Sequence, residues 1–173
     1  METSRRSFLK AGALGALLLA AGGGIYRYTH PPAPHPFALD GEARTALDAI
    51  VPAVLAGALP GDPAMRAQAI SATTARVHQT ILGLPLATQK EVQDLFGLLA
   101  LAPARRLLAG VRQDWASASA DEVAAFLQDW RVHRLALLRS AYQALHDLVL
   151  GSWYSDPDHW AAIGYPGPVK ELA

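Results

Sequence analysis

Cysteine is absent from all 173 residues. That excludes disulfides, covalent haem attachment, thiolate-held iron–sulfur clusters, thiolate zinc sites and a cysteine nucleophile. Charge is sparse: Asp, Glu, Lys and Arg make up 17% of the chain and cancel to a formal net charge of zero. There is no basic patch and no interleaving of aromatic with basic residues, which argues against a nucleic-acid partner. No nucleophile elbow, phosphate loop or dinucleotide fingerprint occurs. No apolar run reaches the roughly 20 residues that an ordinary membrane-spanning helix needs. Alternating strand patterns and internal repeats are missing too.

The N-terminus is distinctive. Ser4-Arg5-Arg6-Ser7-Phe8-Leu9-Lys10 pairs two arginines with a large apolar pair and a lysine. A weakly hydrophobic stretch of Ala, Gly and Leu follows over residues 11–21. This order is that of a twin-arginine export signal, recognised by the twin-arginine translocase. The expectation is therefore a signal segment over residues 1–30 and a periplasmic location. Small residues at Gly22, Gly23 and Gly24 favour cleavage there. The alternative is retention as an anchor, with Tyr26 and Tyr28 at the membrane interface. Loss of the signal removes Arg5, Arg6, Lys10 and Arg27 against Glu2, leaving the remainder slightly acidic.

Residues 31–36, Pro31-Pro32-Ala33-Pro34-His35-Pro36, read as a stiff polyproline spacer. Apolar residues make up 51% of the chain, enough for one packed core over residues 37–173. Asp40 suits the N-cap of a helix over 41–55, with Leu47, Ile50, Val51, Val54 and Leu55 on one face. Pro52 should kink that helix or mark an irregular turn. Asp62-Pro63 opens a second helix to Leu82, with Ile70, Val77, Ile81 and Leu82 inward. Thr88 and Glu91 have capping-box spacing ahead of Val92, Leu95, Phe96, Leu98 and Leu99. Pro103 restarts a short helix over 104–108, and a segment around Asp114-Trp115-Ala116 follows. Ser119 and Glu122 repeat the box before Val123, Phe126, Leu127 and Trp130. A break falls at 131–134. Leu137, Leu138, Ala141, Tyr142, Leu145, Leu148 and Val149 mark the last long helix, closing near Gly151. The fold expected is an all-α bundle of about five or six helices with an irregular C-terminal strap.

The strap concentrates aromatics, prolines and glycines. Asp156-Pro157 is either a turn or the N-cap of one helical turn carrying Trp160. Gly164-Tyr165-Pro166-Gly167-Pro168 cannot be helix, and Tyr165 is held extended by the proline after it. Trp153-Tyr154-Ser155-Asp156-Pro157, then Trp160, then Ile163 to Pro168 together resemble the closing signature of the gluconate 2-dehydrogenase subunit 3 family. That family supplies the small, often twin-arginine-signalled subunit of membrane-bound flavin-dependent sugar and sugar-acid dehydrogenases. The resemblance implies a non-catalytic subunit with no cofactor of its own. It implies FAD in a large flavoprotein partner, and electron transfer onward to a multihaem cytochrome c subunit. It also implies a role in export and maturation of the flavoprotein. Trp153, Tyr154, Asp156, Pro157, Trp160, Gly164, Tyr165, Pro166, Gly167 and Pro168 are then a structural and docking element. The competing reading is a strap packed on the chain's own helices, or a free-standing periplasmic scaffold that uses the same strap on another partner.

Metal and acid–base sites are weakly signalled. His30, His35, His78, His133, His146 and His159 show no close helical pairing. Among the carboxylates Asp114, Asp121, Glu122, Asp129 and Asp147, the pair at 121–122 fits a helix start favoured by the helix dipole. Asp129 and Asp147 are expected to face solvent or to pair with an arginine.

Overall fold

The computed structural model describes residues 37–168. The expected export signal at Ser4, Arg5, Arg6, Phe8, Leu9 and Lys10, the expected linker with His30 and His35, and residues 169–173 lie outside the described residues. Six α-helices follow one another: α1 Gly41–Val54, α2 Pro63–Leu82, α3 Leu86–Ala100, α4 Ala102–Leu107, α5 Ala120–Val132 and α6 Ala136–Tyr154. Two 3-10 turns, Pro157–His159 and Ala161–Ile163, complete the chain. The described residues contain no strand. The chain is an all-α bundle.

Helix α1 is the centre. It packs against α2, α3, α5 and α6, and Ala46, Leu47, Ile50, Val51 and Leu55 are sealed from solvent. Pro52 does not interrupt it. The helix runs through Pro52 to Val54, and the Leu55 N–H still reaches the Val51 carbonyl at 2.9 Å. Proline costs a helix one N–H and a clash with the preceding turn. Here the cost falls in the last turn, just before the chain leaves the helix. Asp40 is the N-cap residue, but its side chain makes no capping bond.

Two identical-looking capping signals end differently. Ser119 and Glu122 form the reciprocal box: Ser119 Oγ accepts the Glu122 N–H at 3.2 Å, and Glu122 Oε2 accepts the Ser119 N–H at 3.1 Å. Thr88 and Glu91 form none, because α3 starts earlier, at Leu86, with Pro85 as its N-cap. Gln89 anchors this first turn. Its buried amide donates to the Leu82 and Leu84 carbonyls at 3.1 and 2.8 Å. Its Oε1 accepts the Phe37 N–H at 3.1 Å. One side chain thus holds the α2–α3 corner and the point where residue 37 joins the bundle. Asp62 caps α2 as expected, accepting the Met65 N–H at 2.8 Å.

Tryptophans solve a recurring problem. The last carbonyls of a helix lack partners within it. Trp115, buried in the loop between α4 and α5, donates its indole N–H to Leu99 at the end of α3 at 2.9 Å. Trp130 donates to Leu108, just past α4, at 2.8 Å. Phe126 lies between these two rings, at 5.8 and 4.7 Å, in edge-on contacts. Trp115 was expected only as part of a connecting segment; it is a core residue at 1% exposure.

Candidate docking site: the C-terminal strap

The last helix does not close at Gly151. It continues through Ser152 and Trp153 to Tyr154. Gly151 is surface-exposed in mid-helix, and helical φ/ψ there is sustained by the burial of the next two residues. Trp153 and Tyr154 therefore belong to α6, and the strap begins at Ser155. Trp153 is 4% exposed and faces the chain's own core.

Beyond Ser155 the strap folds back on the end of α6. Asp156 is the N-cap of the first 3-10 turn, its Oδ1 accepting the Asp158 N–H at 3.1 Å, and Pro157 takes the first helical position. Of the two readings of Asp156-Pro157, the structure adopts the helical turn. That turn places His159 flat on Trp153, ring centroids 3.5 Å apart and planes 3° apart. His159 Nδ1 donates to the Trp153 carbonyl at 2.6 Å, so the ring carries its proton on Nδ1. Trp160 Nε1 donates to the Tyr154 carbonyl at 2.7 Å. Two carbonyls at the end of α6 thus accept from two rings of the strap, and the Trp153 carbonyl also takes the Asp156 N–H at 3.3 Å.

The final turn is fixed by glycine. Gly164 ends the second 3-10 turn at φ 70°, a left-handed conformation that side chains disfavour. The Tyr165 N–H then returns to the Trp160 carbonyl at 3.0 Å. Tyr165 meets the Trp160 ring edge-on at 5.2 Å. Gly167, at φ 93°, lies so close under that ring that a Cβ would sit 3.3 Å from Trp160 Cζ3.

One charged tie joins the strap to a distant helix. Arg76 of α2 forms an ion pair and hydrogen bond with Asp156. The Asp158 N–H, and then the Arg76 guanidinium, hold the Asp156 carboxyl below the usual carboxylate range. The Thr80 and Ser152 hydroxyls lie 3.2 Å apart and link α2 to α6.

The expected strap residues separate into two sets. Trp153, Asp156, Trp160 and Gly167 turn inward or bind the strap to itself. Pro157, Gly164, Tyr165, Pro166 and Pro168 are exposed, and Tyr154 is half-buried. Ile163 is exposed beside Tyr165. It is not among the docking residues expected from the sequence, although a large aliphatic side chain between Ala162 and Gly164 was a usable signal.

The remaining candidate residues serve local structure. His133 Nδ1 accepts the Leu135 N–H, His78 contacts the Phe37 carbonyl, and His146 lies beside Tyr142 and Asp147. Asp114 is held below the usual carboxylate range by the Ser117 hydroxyl and N–H, with Arg105 adding to it. Asp147 pairs with Gln143 rather than an arginine. Asp121 and Asp129 are exposed. Among the described residues, no group of three or more His, Asp or Glu is placed to hold a metal. None of the helices there is long and apolar enough to cross a membrane. An open cleft of about 190 Å³ between α1, α5 and α6 is lined by Val54, Leu127, Tyr142 and His146 among others. Compared with protein-family models, curated proteins and solved structures, the chain matches none.

Proposed function

We propose that this chain is the non-catalytic small subunit of a periplasmic flavin-dependent sugar or sugar-acid dehydrogenase. It escorts the large flavoprotein through the twin-arginine translocase, aids its maturation and remains bound to it. FAD belongs to that partner, and a multihaem cytochrome c is the third component. The observation that carries the reading is the strap. Its backbone is tied down by Trp160, His159 and Asp156, while Ile163, Tyr165 and Pro166 are left facing outward. A pre-ordered aromatic–aliphatic edge suits partner binding, because little entropy remains to be lost on docking. Tyrosine is also a favoured interface anchor. The Arg5-Arg6 signal and the resemblance of the strap supply the export route and the partner class.

The test is recovery of a tagged chain from its own cells under mild lysis, followed by a visible spectrum. A flavin spectrum with a large second band is expected. Changing Arg5 and Arg6 together to lysine should leave the flavoprotein in the cytoplasm. Normal flavoprotein export in that variant would sink the escort role. A colourless, solitary small protein from the wild type would favour the free-standing scaffold.

A further inference from the structure

The α5–α6 corner combines exposed apolar side chains with unopposed positive charge. Val132, Leu135 and Leu137 are 69, 53 and 76% exposed. Arg131, Arg134 and Arg139 are exposed among them. No carboxylate occurs over residues 130–146; Asp129 and Asp147 are the first on either side. The indole bond from Trp130 to Leu108 brings the end of α4 to the end of α5, and α4 carries the exposed Arg106 and Leu107 there. The scattered arginines had given no basic patch in the linear sequence; the fold gathers them.

The corner is also closed against its own backbone. Arg139 Nη1 donates to the His133 carbonyl at 2.6 Å and the Arg134 carbonyl at 3.2 Å. His133 Nδ1 accepts the Leu135 N–H at 3.1 Å. The Leu135 carbonyl accepts the Leu138 N–H at 3.2 Å. Each of these internal bonds lowers the cost of taking the turn out of water.

We infer that this corner docks on an anionic lipid surface. Val132, Leu135 and Leu137 would enter the boundary between headgroups and acyl chains, and Arg131 and Arg134 would meet lipid phosphates. Charge complementarity selects an anionic surface. The convex shape of a helix corner, with aliphatic tips and no exposed aromatic anchor, suits a deformable bilayer better than a preformed protein pocket. The inference stands apart from the strap and from the dehydrogenase reading.

The cysteine-free chain makes the test clean. Leu137→Cys and, as control, the equally exposed Leu86→Cys on α3 are each labelled with an environment-sensitive fluorophore in the full chain. Vesicles are phosphatidylcholine alone or phosphatidylcholine with phosphatidylglycerol. A blue shift is expected at position 137, only with phosphatidylglycerol, and not at position 86. Adding Arg131→Gln and Arg134→Gln should weaken that response on the order of tenfold. Attachment through the N-terminal segment would bring both labels to the vesicle without desolvating position 137 selectively. Equal responses at the two positions, no response at 137, or a response indifferent to lipid charge would each overturn the inference. So would a shift at 137 produced only by an acidic protein.

Discussion

The helical body and the strap use one device at two scales. In the body, Trp115 and Trp130 each cap the end of a neighbouring helix while also filling the core. In the strap, Trp160 caps the end of α6, yet its ring is only half-buried. The hydrogen bond is the same and the burial is not. Burial therefore decides that the first two hold the fold, while the third holds only the strap. The strap can then be loosened without unfolding the bundle.

Trp130→Ala should break the body. A buried tryptophan replaced by alanine costs about 3–5 kcal/mol, and the Leu108 carbonyl also loses its donor. Thermal melting by circular dichroism should fall by many degrees or show no folded baseline. A small shift would mean that the Trp115–Phe126–Trp130 cluster is not the core it looks to be.

Trp160→Ala should divide the two regions. It removes one hydrogen bond and part of a ring contact, on the order of 1 kcal/mol, confined to the strap. Hydrogen exchange at Gly164 and Tyr165 should accelerate while the melting temperature of the bundle stays close to wild type. A collapse of the melt would show that strap and body form one cooperative unit.

The smallest effect is expected at Asp156. Its carboxyl is held low by the Asp158 N–H and by Arg76, so the folded state prefers it charged. The strap's tie to α2 is complete above the ordinary carboxylate range and is lost as pH falls through the lowered value. Asp156→Asn should abolish that acid dependence in strap hydrogen exchange and leave the bundle unchanged. An identical acid profile in the variant would assign the dependence to another group.

Legibility in the sequence followed the range of the interactions. Helix bodies show in local periodicity, and α1, α2 and α5 appear with the expected inward faces. Phase fails where periodicity is degenerate. Leu137 was expected inward with Leu138, but adjacent residues on a helix point about 100° apart, and α6 buries Leu138, Leu145, Val149 and Trp153 instead. Caps fail where the helix starts ahead of the capping pair, as α3 does at Leu86 before Thr88 and Glu91. The strap's turns are written in Asp156-Pro157, Gly164 and Pro166. Its attachment is not, because Arg76 and Asp156 are 80 residues apart and no local pattern links them. The division of strap residues into inward and outward sets depends on those long-range ties.

The central position of α1 has a consequence for biosynthesis. It is the first helix of the bundle to leave the ribosome, and one of its packing partners, α6, is the last. Its apolar face cannot be fully covered until α6 has emerged. The body therefore closes only after the whole stretch from α1 to α6 has been made, with the strap settling after it. On the proposed twin-arginine route, which accepts folded cargo, that closure has to precede docking at the membrane.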